Sequence, residues 1–141
     1  MRALSLHRDS RRESESSFLE LELERNAYAP GAARAAVSER LEEHGIDGAV
    51  EQTVVLLVSE VVSNAVRHSM ASTERPIELA ATVTRDWVRV AVSDGGRGFV
   101  PRQRDPSRLS DGYGLFLLEK TASRWGVEDA GGTTVWFELP R

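Results

Sequence analysis

Leu19, Leu21 and Leu23 alternate with Glu20, Glu22 and Glu24 across Phe18–Arg25, the period of a strand buried on one face. Pro30 and Gly31 then open a helix expected to run to about His44, with Ala32, Ala36, Val37 and Leu41 inward and Gly45 closing its C-terminus. Asp47 suits the N-cap of a second helix, in which Val54, Val55, Val58, Val61, Val62 and Ala65 recur at helical spacing. Ile77, Leu79, Ala81 and Val83 alternate with Glu78, Ala80, Thr82 and Thr84. Arg85-Asp86 then turns the chain into a third strand, Trp87–Ser93, and so short a turn predicts an antiparallel hairpin. A third helix is expected from about Leu115, with Leu115, Phe116, Leu118, Thr121 and Ala122 on one face. Strands follow at Trp125–Glu128 and Thr133–Leu139, joined by a turn at Asp129–Gly132. The order strand, helix, helix, strand, strand, helix, strand, strand predicts an α+β fold. Its architecture is a two-layer sandwich, a mixed and mostly antiparallel sheet covered by helices on one face. Residues 1–17 lack apolar periodicity and read as a flexible N-terminal arm, leaving 18–141 as one domain.

With 141 residues, 40% of them hydrophobic, the chain has room for one core and little for a second. A net charge of −4 and a pI of about 5.4 weigh against non-specific nucleic-acid binding. The lack of cysteine excludes disulfides, thiolate nucleophiles and cysteine-ligated zinc. No apolar run reads as long enough to span a bilayer, and no signal-peptide segment is visible. A cytoplasmic protein with no membrane or nucleic-acid partner is therefore the expectation.

Chemistry concentrates on the second helix. Glu60, Asn64 and His68 follow one another at i, i+4 and i+8, so they stack on one side beside the apolar stripe. A glutamate there can take a proton or orient a hydroxyl, and the amide oxygen of an asparagine is a neutral hard ligand that Mg²⁺ accepts. His68, at the helix end, also suits a local pair favoured by the helix dipole. Asp94 ends a strand and begins the glycine-rich turn Gly95–Gly98. Its carboxylate can accept from an exocyclic amine, while Gly96 and Gly98 let the backbone approach a flat ring. Alone, Asp94-Gly95 reads equally as a hairpin turn. Gly112 and Gly114 precede a helix N-terminus, where free N–H groups suit phosphate, but a simple loop-to-helix turn has the same look. Arg102, Arg104 and Arg108 lie in a loop without apolar periodicity and read as solvated charges or as a cover for phosphates. No Gly-Lys-Ser/Thr follows a glycine loop and no Gly-x-Ser-x-Gly occurs, so neither a Walker A site nor a nucleophile elbow is present.

The ordered set is more specific than its parts. Glu60-x-x-x-Asn64, Asp94-x-Gly96-x-Gly98, Gly112-x-Gly114 and Thr133-Thr134 together resemble the GHKL (histidine kinase-like) ATPase superfamily and its Bergerat-type ATP-binding fold. The resemblance runs from Phe18 to Leu139. Within the superfamily the chain looks most like the anti-sigma-factor serine/threonine kinase family of the RsbW/SpoIIAB type. The residues that carry this are Ser59–Ser69 in the helix, and Trp125-Gly126 followed by Gly131–Leu139 at the end.

The resemblance implies a site residue by residue. Asn64 would hold Mg²⁺ against the phosphates of ATP, and Glu60 would be the general base for a serine hydroxyl on a partner. Asp94 would read adenine N6, with Gly96 and Gly98 beside the base and Thr133 or Thr134 near it. Gly112 and Gly114, with Tyr113 and Leu115 nearby, would contact phosphates, His68 would be among the nucleotide-binding residues, and residues 99–111 would form a lid. Tyr113 is bulky for its place between two glycines. The implied partners are a sigma factor and an anti-anti-sigma protein of the STAS type, and a homodimer fits the family pattern. The implied activity is an ATP-dependent protein serine/threonine kinase acting as an anti-sigma factor. The alternatives are a nucleotide-gated regulatory binding module of the same fold without significant turnover, and a nucleotide-free interaction domain. Glu60 favours the first, because a pure binder has no need of a base there.

Overall fold

The computed structural model describes residues 16–68, 75–94, 113–129 and 132–141. Strand β1 (Ser16–Leu23) is followed by helices α1 (Ala29–Glu43) and α2 (Gly48–His68), and strands β2 (Ile77–Val83) and β3 (Trp87–Asp94). Helix α3 (Tyr113–Thr121) and strands β4 (Arg124–Asp129) and β5 (Thr133–Pro140) complete the fold. The five strands form one open sheet in the order β1-β2-β3-β5-β4. Every described pairing is antiparallel, so the parallel component allowed for in the sequence reading is absent from it.

The alternation seen in the sequence is the alternation of the sheet. One face carries Leu79, Val92, Val135 and Val127 in one cross-strand row, and Ala81, Val90, Phe137 and Trp125 in the next. Most of these are buried, with Val90 and Phe137 fully so, and they belong to the single core that the helices cover. Strand β1 starts two residues before the expected Phe18. Ser16 and Ser17 pair with Val83 and Thr82, and the register shifts between Ser17 and Leu19. The remainder of the expected arm lies outside the described residues, as does the loop expected at 99–111.

Helix α1 has the expected extent but a different phase. Ala29, Ala33, Val37 and Leu41 are buried, whereas Ala32 is exposed and Ala36 only half-buried. Alanines surround this helix on several sides, so its composition gives little contrast from which to read the inward face. Its end is well determined. Gly45 takes φ 73°, its N–H donates to the Glu42 carbonyl, and the N–H of buried Ile46 donates to Leu41. These two bonds are a Schellman cap. Arg34 is exposed and donates to Ser59 Oγ at 2.7 Å, tying α1 to α2.

Helix α2 is the spine of the helical layer, packing on α1, α3 and strands β2, β3 and β5. Its mean hydropathy of 1.4 over 20 residues is high enough for a membrane span, contrary to the expectation that no run here is so apolar. Packing accounts for the apolarity, since Val54, Leu57, Val58 and Val62 are all fully buried against the sheet and α1.

Candidate functional site

The last residues of β3 and the first of β5 meet at one end of the sheet, where Asp94 lies directly opposite Thr133. Because side chains alternate along a strand, both point to the helix-bearing face, toward the later turns of α2. There Val61, Asn64, Ala65, Val92, Asp94, Thr133 and Val135 line a small open cleft. Four apolar side chains form its walls, and Asn64, Asp94 and Thr133 converge on it as polar groups. This is the composition expected of a pocket for a flat, mostly apolar ring with a few directional hydrogen bonds.

Each polar group is buried by the element that carries it. Asp94 is 4% exposed and Thr133 2%. The hydroxyl of Thr133 is enclosed and has no hydrogen-bond partner among the described residues. A buried hydroxyl left so is costly, and a ligand that reaches it supplies the missing bond. Asn64, 4% exposed, sits one helical turn from the end of α2 and accepts a hydrogen bond at Oδ1 from Arg67 Nη2 at 3.0 Å. An amide oxygen has two lone pairs, so this bond leaves room for a second interaction. The donor set suits Mg²⁺ brought in with a polyphosphate, since that ion takes one or two protein oxygens and otherwise keeps phosphate and water. No cluster of three acidic or histidine side chains able to hold a metal occurs among the described residues.

Arg25 is a member of the site that the sequence reading passed over. Its side chain is 4% exposed; Nη1 donates to the Ala65 carbonyl at 2.9 Å and Nη2 to Asp94 Oδ1 at 3.3 Å. A signal was present, because Arg25 continues the parity of Leu19, Leu21 and Leu23 and so stands at a core-facing position. Arg67, three residues after Asn64, was equally legible as its neighbour on the helix surface.

Of the expected residues, the structure brings Asn64, Asp94 and Thr133 together. Thr134 is a correction. Its hydroxyl pairs with Ser93 Oγ at 2.7 Å, and alternation places both on the opposite face of the sheet from the cleft. Glu60 is half-buried on α2 and is not among the cleft-lining residues, lying one turn before Asn64. Helix α3 starts at Tyr113, earlier than the expected Leu115, which places Gly114 inside its first turn. The backbone N–H groups of that turn, Tyr113 to Leu115 among them, have no partner within the helix. Gly96, Gly98 and Gly112, and the side chains of His68, Tyr113 and Leu115, lie outside the described residues.

Comparison with known proteins agrees with this architecture. A search of curated proteins gives no match. Among solved structures, the chain is similar to the crystal structure of the RsbU and RsbW domains of Rv1364c from Mycobacterium tuberculosis. The TM-score is 0.69 and the sequence identity 28%, over 87% of this chain and 32% of that one. The chain thus spans about a third of the length of that neighbour. Residues 24–139, which hold the helical layer, four strands and the whole cleft, match the histidine kinase-like ATPase domain, and the chain belongs to that family.

Proposed function

We propose that the chain is an ATP-dependent protein serine/threonine kinase that acts as an anti-sigma factor and phosphorylates an anti-anti-sigma partner of the STAS type. The observation that carries the reading is the convergence of Asn64, Asp94 and Thr133 on one apolar-walled cleft. The family is one of ATPase domains, and the structural neighbour includes an RsbW domain. In this reading the base of ATP enters between Val61, Ala65, Val92 and Val135. Its exocyclic amine donates to Asp94, and the Thr133 hydroxyl bonds a ring nitrogen directly or through water.

Asn64 would hold Mg²⁺, which would draw the phosphate oxygens together and offset the charge that develops as the γ-phosphoryl group leaves. The chain's own residues do the remainder. Arg67, already at Asn64 Oδ1, contributes a positive charge at the phosphate end of the cleft. Glu60, one turn before Asn64 on α2, accepts the proton of the incoming serine hydroxyl as the serine oxygen attacks phosphorus and ADP departs. The free N–H groups at the start of α3 suit phosphate oxygens.

The test is transfer of labelled γ-phosphate from ATP to the protein retained on affinity purification, with mapping of the modified residue. Glu60→Gln is expected to lower the transfer rate by roughly 10²–10⁴ while leaving ATP affinity within a few-fold. Undiminished transfer in this variant would remove Glu60 from the role of base.

One observation favours a second reading, a nucleotide-gated binding module without significant turnover. Glu60 stands outside the lining of the cleft, and a binder needs no base. ATP-dependent retention of a partner without labelling of it would select this alternative.

A further inference from the structure

We infer that Arg25 is a positioning residue that fixes the carboxylate of Asp94 against the end of α2 and thereby sets the selectivity of the cleft for 6-amino over 6-oxo purines. The inference rests on the reading of the cleft as a purine-nucleotide site.

A guanidinium that is 4% exposed at its side chain is rare without strong partners, and both of its partners here are cleft-lining residues. Nη1 donates to the carbonyl of Ala65, one of the last four of α2, which have no partner within the helix. A cation at that end is also favoured by the helix dipole. Nη2 donates to Asp94 Oδ1. One rigid, planar group therefore joins the helix wall of the cleft to its sheet wall, spanning 40 residues of chain on one side and 69 on the other.

The backbone of Asp94 is already set by the sheet, where it pairs with Ile77 and Thr133. Its carboxylate torsion is not, since the terminal torsion of an aspartate is broad. Arg25 supplies what the sheet does not, holding one carboxylate oxygen in a fixed direction. A carboxylate so held acts purely as an acceptor. It attracts the amine at position 6 of adenine and repels the carbonyl oxygen that hypoxanthine and guanine carry there. Sites built around a directed polar group discriminate far more strongly than apolar walls do. A lysine at position 25 would keep the charge but, as a single point donor without the fork, would not hold both acceptors in one plane.

The measurement is the dissociation constant of MgATP and of MgITP, which differ at position 6, by calorimetry on the wild type, Arg25→Lys and Arg25→Met. The wild type is expected to bind ATP at least tenfold more tightly than ITP. In Arg25→Met that ratio should fall to about threefold or less, chiefly through weaker ATP binding, with Arg25→Lys between the two. Where Arg25→Met does not fold, Arg25→Lys carries the same test, since it retains the charge. Parallel loss of both affinities with the ratio preserved would show a purely structural role and overturn the inference while leaving the nucleotide site intact. A wild type that binds neither nucleotide would overturn the reading of the cleft and this inference with it.

Discussion

At the scale of single residues, the informative groups are those whose burial makes no sense without a ligand. Thr133 sits at 2% exposure with a hydroxyl that bonds to nothing among the described residues. If a nucleotide supplies the missing partner, Thr133→Val should have opposite effects on the two states. It removes an unsatisfied buried hydroxyl at nearly constant shape, so the unliganded protein should gain about 1 kcal/mol in urea unfolding. MgATP binding should weaken several-fold, the equivalent of about 0.5–1.5 kcal/mol for one net hydrogen bond. A variant that lost stability and kept its affinity would mean that the hydroxyl faces no ligand. Asn64, Asp94 and Thr133 were legible from the sequence because their motifs occur in a fixed order. Arg25 was not, because an arginine at the end of a strand normally reads as a surface charge, and only the strand's parity gave it away. Thr134 was misplaced against the same signal. Two adjacent threonines in a strand must face opposite ways, and only Thr133 shares the parity of Val135, Phe137 and Leu139.

At the scale of elements, alternation and periodicity predicted every strand and helix now seen, since β2 keeps strict apolar parity, β5 keeps Val135, Phe137 and Leu139 in phase, and α2 carries a continuous stripe. The phase of α1 escaped because alanine is as acceptable outside a helix as inside it. The outer face of the sheet shows a further constraint that no periodicity reveals. The Trp136 ring lies over Gly126, and a Cβ added there would come within 2.8 Å of it. Arg89 covers the same ring, 4.3 Å from its centre, while its guanidinium bonds Glu138 at 2.7 Å. Gly126→Ala should therefore push the indole out of its place between β4 and Arg89. The expected cost is about 1–3 kcal/mol in urea unfolding, as for other overpacked sites, with a change in tryptophan emission. An unchanged unfolding midpoint would mean that the ring has room to move. This change lies on the opposite face from the cleft, so it separates the stability of the sheet from the chemistry of the site.

At the scale of the molecule, the two layers have distinct tasks. The antiparallel sheet fixes Asp94 opposite Thr133 by its register, and α2 lays Val61, Asn64 and Ala65 across them. Arg25 then locks the two layers together at the point where they form the cleft. Each of these roles requires that the cleft receive an adenine nucleotide. The most direct measurement is a titration of the ¹⁵N-labelled protein with MgATP, followed amide by amide. Saturable shifts concentrated on Val61–Ala65, Val92–Asp94 and Thr133–Val135 are the predicted result. Shifts gathered instead on the outer face around Arg89 and Trp136, or no saturable shift at all, would contradict it.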